Sequence, residues 1–263
     1  MVALLRELAD GELEIEGRLL DASNLALRVW VGESRTSAIY KPVRGERELW
    51  DFPDGTLAAR ERGSYLVSRA GGWDHIPETV LRDGPLGPGS VQRWVGPLES
   101  TVVDLPVGLV RLDAVDEVPE DYLPVVGVEL GDGTPMAVSH ADEDRLASLA
   151  VLDAVLNNAD RKASHLIEDG DRLWAIDHGV TLNTATKLRT VLWGWAGDPL
   201  READVERLHR LEAALYDGLT DELADLITAA EIDALGARVE RLLASGVFPE
   251  PDGVRHPLPW PLW

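Results

Sequence analysis

Residues 3–9 carry the spacing of a short helix, and the chain then changes to two strand-like runs, ELEIEGRLL and NLALRVWVG, joined by a polar turn at Asp21, Ala22, Ser23 and Asn24. Two such runs about a polar turn predict a hairpin. TSAIYKPV continues as a third strand with Lys41 near its end. In DFPDGTLAARERGSYLVSRAGG, Leu57, Glu61, Tyr65 and Ser68 recur at helical spacing between a Pro-Asp start and a Gly-Gly stop, which predicts a helix of about four turns. ETVLRDG and GSVQRWVG follow as strands separated by a Gly/Pro turn. Up to this point the pattern is a mostly antiparallel sheet with one inserted helix.

Residues 96–139 are poorly periodic and include the acidic, Pro-containing stretch DAVDEVPEDYLP, which reads as a linker or surface insertion. Helical periodicity begins at Asp142, the expected N-cap, with Leu146, Leu149, Leu152 and Leu156 on one apolar stripe. LHRLEAALYDGL, DELADLITAA and EIDALGARVERLLASG predict three further helices. The tail GVFPEPDGVRHPLPWPLW, with five prolines and two tryptophans, cannot be helical and is expected to dock its indoles as an extended strap. The chain thus divides into a small sheet lobe (1–97), a linker or insertion (98–140), a helical lobe carrying one hairpin (141–248) and a Pro/Trp-rich tail (249–263). The fold class is α+β.

Composition narrows the chemistry. A chain of 263 residues, 45% hydrophobic, can bury a core as one bilobal domain or two small ones. It has no cysteine, which excludes disulfides, zinc–thiolate sites and a thiol nucleophile and points to a cytoplasmic home. The N-terminal apolar run is too short for a signal peptide, and no window approaches the roughly 18 apolar residues of a membrane span, so no integral membrane association is expected. A net charge of −22 repels nucleic acid and anionic membrane surfaces; its plainer explanation is solubility or a salt-adapted proteome, which bears little on mechanism.

The stretch NNADRKASHLIEDGDRLWAIDHG concentrates the chemistry. Asn157 and Asn158 stop the preceding helix, Asp160 and Arg161 lie on the loop beyond, and SHLIEDGDRLWAID predicts a hairpin about a DGD turn. Asp160 and Asp177 therefore flank one hairpin at the same end. Alone, an Asp-Arg pair after a helix is an ion pair or cap, and D-x-G after a strand is a turn. Together the two carboxylates suit phosphoryl transfer, one deprotonating a hydroxyl and the other holding Mg²⁺ on ATP phosphates. Asp153 is expected to bond the loop from the helix.

On these residues the chain resembles the protein-kinase-like superfamily, in particular the phosphoinositide 3-/4-kinase-like branch that includes HipA-type kinases, and an actinobacterial family of kinase-like proteins. The resemblance covers residues 10–200 and implies a bilobal protein-kinase-like fold. It implies that Asp160, in D-R-K-A-S-H, is the catalytic-loop aspartate and that Asp177, in D-H-G and followed by Gly179, binds metal. Lys41 would hold ATP phosphates with Glu61 as its ion-pair partner, Ser23 and Asn24 would offer donors to phosphate, and backbone groups from Gln92 to Val95 would meet adenine. Lys162 stands where the branch has histidine, and could contact the transferring phosphoryl group. His165 stands where the second metal ligand is usually Asn; because Mg²⁺ prefers oxygen, Mn²⁺ is an alternative ion.

For Lys187 and Arg189, in ATKLRTVLWGW, two compatible expectations stand side by side: meeting an anionic substrate or phosphate, and belonging to a helix that packs Leu188, Val191 and Trp195. His140, His209 and His256 are expected to be ordinary histidines. The implied function is an ATP- and divalent-metal-dependent phosphotransferase, with ATP and an unidentified hydroxyl acceptor (a small molecule, lipid or protein) as partners. Nucleotidyl transfer on the same fold and a non-catalytic nucleotide-binding module are the alternatives; two retained aspartates weigh against the last, since a binder needs no base.

Overall fold

The computed structural model describes residues 2–19, 24–53, 55–97, 108–129, 131–253 and 256–263. The N-terminal region contains α1 (Val2–Asp10), β1 (Leu13–Arg18), β2 (Leu27–Val31), β3 (Thr36–Pro42), α2 (Leu57–Gly71), β4 (Thr79–Gly84) and β5 (Gly87–Arg93). Among the described residues these strands form an antiparallel sheet of order β1-β2-β3-β5-β4. Leu27, Val29 and Val31 of β2 and Ala38, Tyr40 and Pro42 of β3 are buried, while the residues between them are half-buried. The apolar side chains of this face join Leu8, Val80 and Val91 in a small core. Strand alternation sends Lys41 to the opposite face.

Helix α2 starts later than the Pro-Asp signal suggests. Thr56 is its N-cap, accepting from the Ala59 N–H at 3.0 Å, and Gly72 closes it in the left-handed region at φ 84°. The helix touches β4 and β5 on one side and α3 (Asp144–Leu156) and α4 (Glu202–Ala214) on the other. Its Tyr65 and Val67 belong to the larger core, built around α3, rather than to the core of the sheet.

The stretch expected as linker or insertion contains a second sheet. β6 (Val110–Ala114), β7 (Tyr122–Glu129) and β8 (Pro135–Ala141) pair antiparallel in the order β6-β8-β7. Most of β6 and β7 is exposed or half-buried, and Pro124 sits beside a register break, so neither shows the alternation that marks a strand in sequence.

In α3 every residue from Leu146 to Leu156 is buried, so the apolar stripe is one side of a fully enclosed helix. Its N-cap is Glu143, not Asp142; the Asp142 carboxylate instead accepts from Trp195 Nε1 at 2.9 Å and Arg201 Nη2 at 3.1 Å. β9 (Leu166–Asp169) and β10 (Arg172–Ala175) form the expected hairpin. After α4 the backbone kinks at Asp217 and Gly218 before the short α5 (Thr220–Ala224), and α6 (Ala229–Ser245) ends the helical part. No helix forms over residues 179–199, although Val191 and Trp195 are buried as a packing role requires.

The tail is a strap, but only one of its indoles docks. Trp263 packs against the larger core, whereas Trp260 is 83% exposed. Its carbonyls bond inward, Pro257 to the Thr190 N–H at 3.1 Å and Leu262 to the Ala163 N–H at 2.9 Å. Among the described residues no helix is long and apolar enough to cross a membrane.

Candidate active site

Helix α3 ends at Asn157, which takes a left-handed conformation (φ 54°) and turns the chain into the loop bearing Asp160. Asn158 fixes that loop: its Nδ2 donates to Asp153 Oδ1 at 2.9 Å and its Oδ1 accepts from the Asp160 N–H at 3.0 Å. Arg161 points inward and is fully buried. Its Nε and Nη2 form a fork with Asp153 at 2.8 and 2.9 Å, Nη1 donates to the Ile176 carbonyl at 3.0 Å, and Nη2 reaches His178 Nε2 at 2.7 Å. One guanidinium thus ties the Asp160 loop to the chain on both sides of Asp177. Burial, and then the charge of Arg161, push the His178 pKa well down, so its ring is neutral and accepts from Arg161.

With Arg161 directed inward, Asp160 is half-buried and pairs with Lys162 Nζ at 3.1 Å. Burial raises its pKa against the opposing pull of Lys162, and the nearby Asp177 charge adds to the rise. Both effects make it a better proton acceptor than an open carboxylate.

Asp177 follows β10 with φ 62°, a conformation that non-glycine residues adopt sparingly and that concentrates at functional positions. Its Oδ1 lies 3.0 Å from Lys41 Nζ, which also donates to Glu61 Oε1 at 2.6 Å. Lys41 therefore joins the sheet, α2 and the hairpin end. Burial would lower the lysine pKa, but Asp177 and Glu61 reverse this and raise it. Lys41 in turn holds Asp177 well below the usual carboxylate range, against the opposing effect of burial. His165 Nε2 stands 3.5 Å from Asp177 Oδ2, and burial pushes the His165 pKa down to about 3, leaving a neutral imidazole beside an ionised carboxylate.

Of the remaining expected residues, those described make contacts of their own. Ser23 lies outside the described residues. Asn24 Oδ1 accepts from the Arg47 N–H at 3.0 Å, tying Asn24 to the loop before α2. Gln92 is buried and its Nε2 donates to Thr79 Oγ1 at 2.8 Å; Val95 is buried as well. The N–H groups of Arg93 and Trp94 bond to Glu78 and Ser37 at 2.8 and 2.9 Å. Lys187 Nζ pairs with Asp51 Oδ2 at 2.8 Å, close to the rings of Trp50 and Phe52, and the Arg189 backbone runs beside Asn158 and Arg161. His140 is buried, while His209 is exposed.

The Asp51–Lys187 bridge and the roles of Arg161 and His178 are absent from motif reasoning, yet a compositional signal pointed at part of them. The chain has 25 basic side chains, of which three are lysine: Lys41, Lys162 and Lys187. Each is paired with a carboxylate of this cluster or of the loop leading to α2.

No protein-family model matches the chain. Protein Rv2133c of Mycobacterium tuberculosis is 44% identical over 260 residues, which cover 97% of this chain and 93% of that protein. The chain belongs to the family of Rv2133c. Among solved structures, the Golgi casein kinase with Mn/ADP bound matches with a TM-score of 0.59 at 14% identity, over 98% of this chain and 78% of its own. A second structure of the Golgi casein kinase gives 0.55 at 14% identity, over 98% and 77%. These likenesses establish a protein-kinase-like fold for this member of the Rv2133c family: an antiparallel-sheet N-terminal region followed by a helical C-terminal part.

Proposed function

We propose that the chain is a phosphotransferase that uses ATP with a divalent metal and a hydroxyl acceptor. The observation that carries this reading is the bridging of Glu61 and Asp177 by Lys41, at 2.6 and 3.0 Å, with Asp160 on the adjoining loop. Phosphoryl transfer asks for this set: a cation for phosphate oxygens, a carboxylate to fix that cation, a metal-binding carboxylate and a base. The assignment to the phosphoinositide 3-/4-kinase-like branch is part of the proposal and rests on the spacing of D-R-K-A-S-H and D-H-G.

The donor set fits a metal–nucleotide. Asp177 is ionised and its side chain 53% exposed, His165 is neutral, and Glu61 Oε2 is buried with no hydrogen-bond partner among the described residues. No group of three or more acidic or histidine side chains forms a ready-made cation site among those residues, so phosphate oxygens and water would supply the other ligands. A mixed carboxylate–imidazole pair favours Mn²⁺ over Mg²⁺, and a structural neighbour holds Mn and ADP. Asp177 and His165 would hold the metal, which neutralises phosphate charge when bound.

In the transfer, the acceptor hydroxyl gives its proton to Asp160, its oxygen bonds to the γ-phosphorus, and the bond from that phosphorus to the β–γ bridging oxygen breaks, releasing ADP. Lys162, beside Asp160, supplies positive charge against the negative charge on the oxygens of the transferring group. Adenine would be met beyond Trp94, at the backbone of Val95, because the two preceding N–H groups are already bonded.

Intact-mass analysis of the protein incubated with Mn²⁺ and ATP, alone and with a panel of hydroxyl acceptors, tests the reading. A phosphoryl adduct or a phosphorylated acceptor together with ADP is expected. An adenylyl adduct with pyrophosphate would assign the site to nucleotidyl transfer instead.

A further inference from the structure

The most deeply buried ion pair of α2 takes no part in the chemistry above. Arg60, immediately before Glu61, is 1% exposed, and its Nη2 lies 2.6 Å from Oε1 of Glu231 in α6, itself 5% exposed. Arg60 Nη1 donates to the Thr181 carbonyl at 2.8 Å, just beyond the D-H-G turn. The hydroxyls of Ser64 and Thr181 meet at 2.8 Å, and the Phe52 ring covers the guanidinium at 5.0 Å. Glu231 is itself anchored: its Oε2 accepts from the N–H and hydroxyl of Thr228, each at 2.9 Å, in the capping box that begins α6.

Burying a guanidinium and a carboxylate carries a desolvation cost that apolar side chains of equal volume would avoid, so such a pair is weak evidence for stability. What it supplies is direction, because a planar fork bonds two acceptors only in one orientation. Neighbouring residues on a helix point about 100° apart. Arg60 accordingly faces α6 and Thr181 while Glu61, on the same turn, faces Lys41.

We propose that Arg60 is a positioning residue that locks α2 to α6 and to the segment after Asp177, holding Glu61 against Lys41 before any nucleotide arrives. The site is then assembled in the ligand-free protein and needs no movement of α2 to be switched on. Burial of Tyr65 and Val67 of α2 in the larger core points the same way. The consequence for turnover rests on the phosphotransferase reading; the clamp itself does not.

Arg60→Met/Glu231→Gln removes both charges and keeps a residue able to complete the capping box. Without nucleotide, the amides of residues 57–71 are expected to exchange at least ~10-fold faster than in the unaltered protein, a loss of about 1.4 kcal/mol of local protection, while those of α3 are unchanged. Saturating Mn-ATP should restore part of the protection, the KM for Mn-ATP should rise and kcat should fall. Arg60→Lys, which keeps the charge but lacks the fork, provides a gentler variant that should fold and show the same pattern to a smaller degree. Exchange over residues 57–71 equal to that of the unaltered protein in the folded variants would overturn the proposal. Faster exchange in the variants, with no Mn-ATP binding by the unaltered protein, would uphold the clamp and sink the phosphotransferase reading.

Discussion

Lys41 Nζ and Asp177 Oδ1 are 3.0 Å apart although 136 residues separate them in the chain, which brings the end of a sheet strand to the end of the hairpin in the helical part. The lysine holds this aspartate ionised well below the usual carboxylate range. An ionised, half-open carboxylate so placed is available to a cation that arrives with a nucleotide. Asp177→Asn should remove most of the metal-dependent part of the thermal stabilisation by ATP while leaving the metal-independent part. Melting curves with ATP, with and without Mn²⁺, measure both; an unchanged metal-dependent shift would contradict the assignment.

Lys41 and Glu61 should act as a unit. Lys41→Met and Glu61→Gln are each expected to weaken Mn-ATP binding, and the double variant to be little worse than either, because the second change removes a partner already lost. Calorimetric titration of the four proteins completes the cycle. Additive losses would mean that the 2.6 Å contact does not carry the binding energy.

The buried fork of Arg161 on Asp153 should dominate the stability of the Asp160 loop. Asp153→Ala leaves a guanidinium without its carboxylate in a dry site and is expected to cost about 3–5 kcal/mol in urea unfolding, with Asp153→Asn costing less. A loss within the range of ordinary surface substitutions, roughly 0.5 kcal/mol, would show that Ile176 and His178 alone satisfy Arg161.

Acid should destabilise the fold through its buried histidines. His140 is buried, its Nε2 accepts from the Gly194 N–H at 2.9 Å, and burial pushes its pKa down to about 4. Unfolded, the same ring titrates near 6.5. Between those values the unfolded chain binds the extra proton and the folded chain does not, so stability rises with pH across this window and falls as pH drops from about 6.5 to about 4. His165 and His178, both depressed by burial, act in the same direction. Denaturant titrations at several pH values should show this slope, shallower in His140→Gln; an unchanged slope in that variant would remove His140 from the account.

The parts of this protein legible in its sequence are those set by short-range chemistry. Asn157 can take φ 54°, the DGD turn closes β9 on β10, and Tyr40 and Ala38 alternate with Ile39 and Lys41, so the helix end, the hairpin and the lysine-bearing strand follow from neighbouring residues. The second sheet was not legible because the half-exposed faces of β6 and β7 leave little hydrophobic alternation to read. Arg60 with Glu231 and Lys187 with Asp51 were hidden for a different reason. Their partners lie 171 and 136 residues away, and no local pattern states which distant carboxylate a buried cation will meet.

The most direct measurement compares the unaltered protein with Asp160→Asn, recording Mn-ATP affinity by calorimetry and ADP with phosphorylated product by mass spectrometry. Asp160 contacts Lys162 and takes no part in the bonds that Lys41 makes to Glu61 and Asp177; in the proposed reaction its charge takes a proton and does not hold the nucleotide. Affinity is therefore expected to stay within a few-fold while product formation falls by roughly two orders of magnitude or more, the scale of a lost general base. Full product formation by Asp160→Asn would contradict the account and leave Asp160 as a residue that only shapes its loop.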